Sequence, residues 1–145
     1  MEIVRAQKEH LQQLVPLFNG YRIFYQQASD LGGAQEFLND RLEGDESVIF
    51  LALDDQGRGL GFTQLYPSFS SVSMQRVFIL NDLYVDEMAR GQQVGTQLLD
   101  KAKEYSFSKG AKGMVLETAA DNPAQKLYEK NGWIKDTALH YYWQA

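Results

Sequence analysis

The segment RVFILNDLYVDEMARGQQVGTQLL, residues 76–99, joins an apolar stretch to a glycine-containing turn and then to an amphipathic helix. Residues 76–85 are rich in aromatic, leucine and β-branched side chains, which predicts a long buried strand. Polar Asn81 and Asp82 stand inside that strand. From Val94 onward, apolar residues recur at helical spacing and predict a helix with one buried face. The segment therefore predicts a strand that leads through a tight turn into a helix.

The turn between this strand and the helix has the chemistry of an anion site. The first turn of a helix leaves its N–H groups unpaired and carries a positive dipole, so a pyrophosphate could bind there, with Arg90 adding charge. Gln93 stands where a tight backbone cradle usually has glycine, between Gly91 and Gly95. We expect Gln93 to keep a right-handed backbone with its side chain in solvent. Local chemistry alone still favours an ordinary helix start.

The rest of the chain predicts a single domain over residues 1–145, without repeats or linkers. Predicted helices begin near Leu11, Asp30, Val94 and Asn122. Strands are predicted at 2–6, 47–53, 59–66, 76–85, 112–119 and 138–144, with a polar loop at 67–75. Several hairpins and one strand–helix–strand crossover predict an α/β (α+β) fold. Its sheet should be mixed and mostly antiparallel, with six to seven strands and helices on both faces.

The composition excludes several classes of function. The chain is 44% hydrophobic and 23% charged, as in a globular protein, and its net charge of −5 disfavours nonspecific nucleic-acid binding. The absence of cysteine removes disulfides, thiolate catalysis and cysteine-ligated zinc. His10 and His140 are isolated in the sequence, so no metal site is predicted. Neither a signal-peptide pattern nor a membrane-length apolar run is present, and the expected location is cytoplasmic.

A second informative segment is NPAQKLYEKNGW, residues 122–133. Asn122 predicts an N-cap, Pro123 the first helical position, Gln125 a capping-box partner and Gly132 the end of the helix. Tyr128 lies inside this compact helix, and a phenol can donate a proton to a thiolate leaving group. The alternative for Tyr128 is an aromatic side chain that only packs in the core.

Together, LNDLYVDEMARGQQVGTQLL and LETAADNPAQKLYEKNGW resemble the GNAT superfamily of acyl-CoA-dependent N-acetyltransferases. The family's phosphate loop has the form Q/R-x-x-G-x-G/A and follows a strand. Its later helix has the form N-x-x-A-x-x-L-Y-x-x-x-G-[FW]. The second match is the more specific and includes Asn122, Leu127, Tyr128, Gly132 and Trp133. The first match departs from the family at Gln93.

The resemblance implies an acetyl-CoA site between splayed strands, residues 76–85 and 112–119. Backbone groups of Leu83, Tyr84 and Val85 would run along the acetyl and pantetheine arm like an added strand, and the N–H of Leu83 or Val85 would stabilise the oxyanion. Asn122 and Ala124 would orient the pantetheine, and Tyr128 would protonate the CoA thiolate. The pyrophosphate would lie on Arg90, Gly91, Gln92, Gln93, Val94, Gly95 and Thr96.

Because the chain has no cysteine, we expect direct transfer in a ternary complex rather than an acyl-thiol enzyme. Some family members carry a glutamate where this chain has Ile79, so the base must differ here. Strand alternation places Asn81 on the same face as Leu83 and Val85, where it could orient a water, and leaves Asp82 a structural role. Glu117 on the neighbouring strand is the carboxylate alternative, and a water chain to bulk solvent is the other.

The acceptor is expected to be a small-molecule or peptide primary amine. Tyr21, Phe24 and Tyr25 would wall a cation pocket or simply pack on the sheet, and Arg22 would read a carboxylate or pair with a surface acid. The resemblance also implies a homodimer through the last strands, here residues 138–144. The competing interpretation is a CoA-binding regulatory module with weak or no transfer, motivated by Gln93 and Ile79.

Overall fold

The computed structural model describes all of residues 1–145, with five strands and four helices. The strands are β1 Glu2–Arg5, β2 Val48–Leu53, β3 Gly59–Ser70, β4 Gln75–Val85 and β5 Gly113–Val115. The helices are α1 Leu11–Phe24, α2 Leu31–Glu43, α3 Val94–Ser108 and α4 Ala124–Lys130. None of the helices has the length and apolar character that crossing a membrane requires.

The strands form one sheet in the order β1-β2-β3-β4-β5. The first four strands are antiparallel neighbours, and β5 is parallel to β4 because α3 connects the two as a crossover. The prediction of a mixed, mostly antiparallel sheet is confirmed.

The predicted number of six to seven strands is wrong, because the sheet has five. The strand predicted over residues 112–119 shortens to β5, and residues 138–144 form no strand. Aromatic side chains gave residues 138–144 a strand-like pattern, but these residues pair with no strand of the sheet, and an unpaired segment forms no ladder. Residues 134–145, which we call the C-terminal arm, instead carry exposed apolar side chains.

Helices cover both faces of the sheet, as predicted. Along β2, Val48, Phe50 and Ala52 face a core cluster that includes α3, whereas Ile49 and Leu51 face the cluster formed with α1 and α2. This alternation is the two-residue period of a strand buried on both sides.

Two other segments differ from the sequence prediction. Strand β3 continues to Ser70, so the first residues of the predicted 67–75 loop pair with β4 instead. Helix α1 continues through Phe24 and so includes the aromatic residues near its end, for which no helix boundary was predicted. The extension of α1 carries Tyr21 and Tyr25 to the part of the sheet where β4 is irregular.

That irregularity is a β-bulge in the middle of β4. Gln64 of β3 is opposite Asp82, and Leu65 is opposite Leu80, so Asn81 between them has no partner on β3. A bulge inserts one residue and reverses the side-chain alternation beyond it. Phe78 and Leu80 before the bulge therefore face α3, and so do Leu83 and Val85 after it.

Candidate functional site

The sheet opens at the point where β4 separates from β5. The two strands pair only from Val77 to Ile79 on β4 and from Gly113 to Val115 on β5. Strand β4 continues for six more residues, to Val85, with no neighbour on that side. The result is a cleft in the sheet, which we call the strand cleft, with an open β4 edge as one wall.

Main-chain groups of Leu83 and Val85 point into this strand cleft. The N–H of Asp86 donates to the carbonyl of Leu60 at 2.8 Å, so these two residues form a hydrogen-bonded pair. Hydrogen-bonded pairs alternate with non-hydrogen-bonded pairs in an antiparallel ladder, so every second pair of β3 and β4 before this one is also hydrogen-bonded. The intervening residues of an antiparallel ladder direct their N–H and C=O groups away from the partner strand. Leu83 and Val85 are intervening residues, so their polar groups lie on the open edge.

The loop before α3 presents a row of N–H groups without partners. From Gly91 through Thr96, no backbone N–H donates a hydrogen bond within the protein. Gly91 has φ +79° and Gln93 has φ +67°, ψ 13°, so both adopt the left-handed conformation. Our expectation that Gln93 stays right-handed is therefore wrong. Two left-handed residues are what turn the chain from the end of β4 into the axis of α3.

Arg90 is tied to the end of β4. Its Nε donates to the carbonyl of Val85 at 3.0 Å, and its guanidinium lies 5.8 Å from the centre of the Tyr84 ring. The positive charge is therefore held between the open edge of β4 and the start of the N–H row. The guanidinium charge and the unpaired N–H groups both favour an anionic ligand at this end of the strand cleft.

Helix α4 starts close to its predicted position, but its capping differs. The Oδ1 of Asn122 accepts the N–H of Ala124 at 2.9 Å, and Gly132, at φ +87°, ends the helix as predicted. The predicted capping box is wrong, because the N–H of Asn122 already donates to the carbonyl of Ala119 at 3.0 Å. The Gln125 amide donates instead to the carbonyl of Ala120 at 2.7 Å.

Tyr128 of α4 lies half-buried against Trp133, with ring centres 6.1 Å apart. Burial raises the pKa of its phenol to about 12, and Tyr25 adds to the shift. The hydroxyl therefore stays protonated throughout the neutral range. Asn122 connects α4 to α1, because its Nδ2 donates to the hydroxyl of Thr118 at 2.9 Å and to that of Tyr25 at 3.4 Å.

The C-terminal half of α1 supplies an aromatic cluster beside the bulge. The Tyr21 and Tyr25 rings meet edge to face at 5.1 Å, and the Tyr21 hydroxyl donates to the carbonyl of Asn81 at 3.0 Å. Phe24 packs on Tyr25 at 5.2 Å and is half exposed. Arg22 is separate from this cluster, since its Nη1 donates to the carbonyl of Ala28 at 3.1 Å.

Glu117 lies apart from this cluster. It lies two residues beyond the end of β5, its side chain is 74% exposed, and its Oε1 is 3.1 Å from Nδ1 of His140 in the C-terminal arm. The shortness of β5 explains this position, because the strand ends before Glu117 and no ladder fixes its direction.

Asp82 has an environment that sequence reasoning missed. It is 1% exposed, and its two carboxyl oxygens accept the amides of Gln64 at 2.6 Å and Asn81 at 2.7 Å. Burial raises its pKa to about 6, although the two amide bonds lower it. The alternation argument for Asn81 fails, because Asn81 is the bulge residue and its side chain bonds Asp82. A charged residue inside an apolar strand was the available signal.

Comparison with known proteins agrees with this geometry. A model of the acetyltransferase (GNAT) family matches residues 14–133. The chain is 50% identical over 143 residues to the uncharacterized N-acetyltransferase YhfO of Bacillus subtilis strain 168, across 98% of this chain and 95% of that protein.

Solved structures give the same result. The crystal structure of a probable acetyltransferase matches with TM-score 0.92 and 48% identity, over 100% of this chain and 97% of that one. Aminoglycoside N-acetyltransferase AAC(6')-Iy, solved in complex with CoA, shares the fold with TM-score 0.83 at 20% identity, over 99% of this chain and 93% of that one. The chain therefore belongs to the acetyltransferase (GNAT) family, as an N-acetyltransferase.

Proposed function

We propose that this protein transfers the acetyl group of acetyl-CoA directly to a primary amine, with both substrates bound together and Tyr128 as proton donor. The observation that carries the proposal is the strand cleft. It joins an open β4 edge to the unpaired N–H groups of residues 91–96 at one end and to the half-buried phenol of Tyr128 beside it.

The residues around the strand cleft fit acetyl-CoA. A pyrophosphate on residues 91–96 would satisfy N–H groups that have no other partner, near the guanidinium of Arg90. The pantetheine amides would bond Leu83 and Val85 as an added strand, with Tyr84 spacing the two. Asn122, just before α4, and Ala124, its first residue, are proposed to orient the pantetheine, with the Asn122 amide exchanging its long 3.4 Å bond to the Tyr25 hydroxyl for a pantetheine carbonyl.

Tyr128 supports the proton-donor role by its protonation state. A phenol with a pKa of about 12 is a proton donor at every physiological pH. A thiol, with a pKa of about 8.5, is the stronger acid. Complete proton transfer to a free thiolate is therefore uphill. The hydrogen bond contributes most while negative charge develops on the sulfur, which makes it stronger in the transition state than in the ground state.

The acceptor amine is proposed to enter beside the C-terminal half of α1. Tyr21, Phe24 and Tyr25 give this entrance three aromatic faces, which suit a cationic amine. Asn81 lies at the cleft side of the cluster and is proposed to hold a water there. Because the Arg22 guanidinium already bonds Ala28, any carboxylate recognition by Arg22 would use its remaining N–H groups.

The C-terminal arm is proposed to form a homodimer contact. Tyr141, Tyr142 and Trp143 are each 80% exposed or more, and the outer edge of β5 has no neighbouring strand. A cavity of about 600 Å³ lies beside that edge, and it is lined in part by Met114 and Trp133. An arm from a second copy would cover these apolar surfaces. Light scattering of the intact chain and of a Trp143→Ser, Tyr141→Ser variant tests the contact, and equal masses would contradict it.

The alternative is a CoA-binding module with little or no transfer. It is favoured by the position of Glu117, which lies against His140 rather than at the bulge. A panel of polyamines, amino acids, aminoglycosides, arylamines and peptides distinguishes the two functions. We expect at least one amine to release CoA thiol well above hydrolysis. If no amine does so while acetyl-CoA still raises the melting temperature, the module is the correct function.

A further inference from the structure

The carboxyl group of Asp82 is buried in the sheet without a cation. Its side chain is 1% exposed, and none of the ion pairs in the structure includes it. Gln64 and Asn81 each donate an amide N–H to one of its oxygens, and the other polar atom of Gln64, Oε1, is buried without a partner.

A purely structural role does not account for this arrangement. Burying a carboxylate in a protein costs free energy unless a cation or several hydrogen bonds compensate, and two neutral amides compensate in part. An apolar pair of similar volume at positions 64 and 82 would fill the same space without that cost. Titratable groups whose burial is only partly compensated concentrate at functional sites.

The position of Asp82 supplies the second argument. It follows the bulge residue Asn81 at the point where β4 has left β5 and the strand cleft begins. The Asn81 amide holds one Asp82 oxygen, while the Asn81 carbonyl accepts the Tyr21 hydroxyl. Asn81 itself is exposed, so it connects the buried carboxyl to the solvent side of the acceptor entrance.

The groups facing Asp82 are uncharged. Its negative charge contributes to raising the pKa values of Tyr21 on α1 and Tyr66 on β3. The other titratable groups coupled to these two tyrosines are Tyr25, Tyr128, Arg41 and Glu46, of which only Arg41 and Glu46 carry charge, both on the Tyr66 side.

We propose that Asp82 is the proton-holding residue of the acceptor site, which takes the proton of the acceptor ammonium through a water at the Asn81 bulge. The inference rests on the proposed acetyl transfer and identifies its base. Asp82 acts through Asn81 and water, so it is a positioning residue rather than one that contacts the reacting atoms.

The ammonium R–NH3⁺ loses one proton to the water, which passes one to the Asp82 carboxylate, leaving R–NH2 and a neutral carboxyl. The amine nitrogen forms a bond to the acetyl carbon and the carbon–sulfur bond breaks. The thiolate takes the Tyr128 proton, and the phenolate recovers a proton from the acylated nitrogen. Asp82 then releases its proton to solvent, so each turnover yields amide, thiol and one proton.

Proton affinity supports the assignment. Efficient bases have pKa values near the working pH, and burial brings Asp82 to about 6. Gln64 and Asn81 bond the ionised form, which keeps the carboxyl charged and ready to accept at neutral pH.

The test compares the pH profile of kcat/KM for wild type and Asp82→Asn. The acceptor is spermidine, or another amine of the panel if that one reacts faster. For wild type we expect kcat/KM to rise with pH, with an apparent pKa of about 6, and to reach a plateau above that pH. In Asp82→Asn the plateau should be absent, and kcat/KM should keep rising with the free-amine fraction through pH 9. At pH 7.5 its kcat/KM should be at least tenfold below that of wild type. The KM for acetyl-CoA should stay within twofold, and Asp54→Asn, in the β2–β3 turn, should match wild type.

A Gln64→Leu variant provides a second measurement if Asp82→Asn does not fold. It keeps the carboxyl but removes a donor that lowers its pKa, so the acid limb should move to higher pH. The assignment of Asp82 is overturned if the acid limb of the kcat/KM profile does not move in Gln64→Leu. It is also overturned if Asp82→Asn keeps the wild-type limb and plateau. Either result leaves the proposed acetyl transfer intact. A wild type that transfers acetyl to no amine overturns both the assignment and the proposed function.

Discussion

The two ends of the strand cleft differ in their polar groups, which are main-chain groups at one end and side chains at the other. At the CoA end, the groups proposed to contact a phosphate are main-chain N–H groups of residues 91–96, placed by the turn from β4 into α3. At the acceptor end, the groups are the side chains of Tyr21, Gln64, Asn81 and Asp82, which three different elements bring together.

This difference explains how each end tolerates sequence change. Backbone N–H groups remain after almost any substitution, so Gln93 can occupy a position that favours glycine and the N–H row survives. A side-chain network loses a donor or an acceptor with each substitution, and a buried group left unpaired is costly. We therefore expect small effects at the CoA end and larger, more specific effects toward the acceptor.

The largest effect is expected for Tyr128→Phe, because this phenol is the proposed proton donor. Removing the phenol proton should lower kcat by about 100-fold or more, as general-acid catalysis contributes at least that factor. Binding of acetyl-CoA, measured by calorimetry, should change little. Tyr105→Phe is the matched control, since Tyr105 packs between Phe50 and Phe78 away from the cleft. Unchanged turnover in Tyr128→Phe would remove the proton-donor role.

The second effect is the pH dependence of stability caused by Asp82. Its folded pKa of about 6 lies above the ordinary aspartate value of 3.8, so the folded state binds the proton more tightly. This contribution to stability is fully present below pH 4 and is lost as pH rises through 6. By pH 8 the loss amounts to about 3 kcal/mol at 1.36 kcal/mol per unit.

Urea unfolding of wild type and Asp82→Asn between pH 4.5 and 8 measures this term. The variant cannot titrate at position 82, so wild type should lose stability relative to it as pH rises. Two curves that run parallel across the range would contradict a raised pKa for Asp82.

A smaller effect is expected for Tyr21→Phe at the acceptor end. The change removes the hydrogen bond to the Asn81 carbonyl, and such bonds contribute about 1 kcal/mol to stability. The bulge should then be less firmly held, and kcat/KM for the amine should fall while the KM for acetyl-CoA does not. An equal rise in both KM values would mean that Tyr21 supports the whole cleft rather than the acceptor end.

The smallest effect is expected at the CoA end. Gln93 has a left-handed backbone, which costs a non-glycine residue about 1 kcal/mol, so Gln93→Gly should raise the free energy of unfolding by up to that amount. Gln92→Gly is the matched control, because Gln92 has a negative φ and glycine there should destabilise. Affinity for acetyl-CoA should stay within a few-fold in Gln93→Gly. A large gain in affinity would show that Gln93 distorts the N–H row.

The same difference between main-chain and side-chain groups explains which features of the cleft could be predicted from the sequence. The strand, turn and helix at residues 76–99 follow from local patterns, and so do the cap at Asn122 and the stop at Gly132. The open main-chain groups of the CoA end depend on these local elements alone.

The acceptor end depends on tertiary features that no local pattern contains. The bulge at Asn81 appears only in the register between β3 and β4, and it invalidates the alternation used to orient Asn81. The burial of Asp82 depends on α1 and on Gln64 from another strand. Glu117 and residues 138–144 were placed in strands by composition, whereas strand formation depends on tertiary pairing, and neither segment pairs with the sheet.

The most direct test of the account is a parallel assay of both products from one reaction. Purified wild-type protein, acetyl-CoA and the best amine of the panel are incubated, and the acetylated amine and the free CoA thiol are quantified together over time. The account predicts that the two appear in equal amounts at a rate well above that without protein. Thiol without acetylated amine, or neither product while acetyl-CoA is bound, would contradict it.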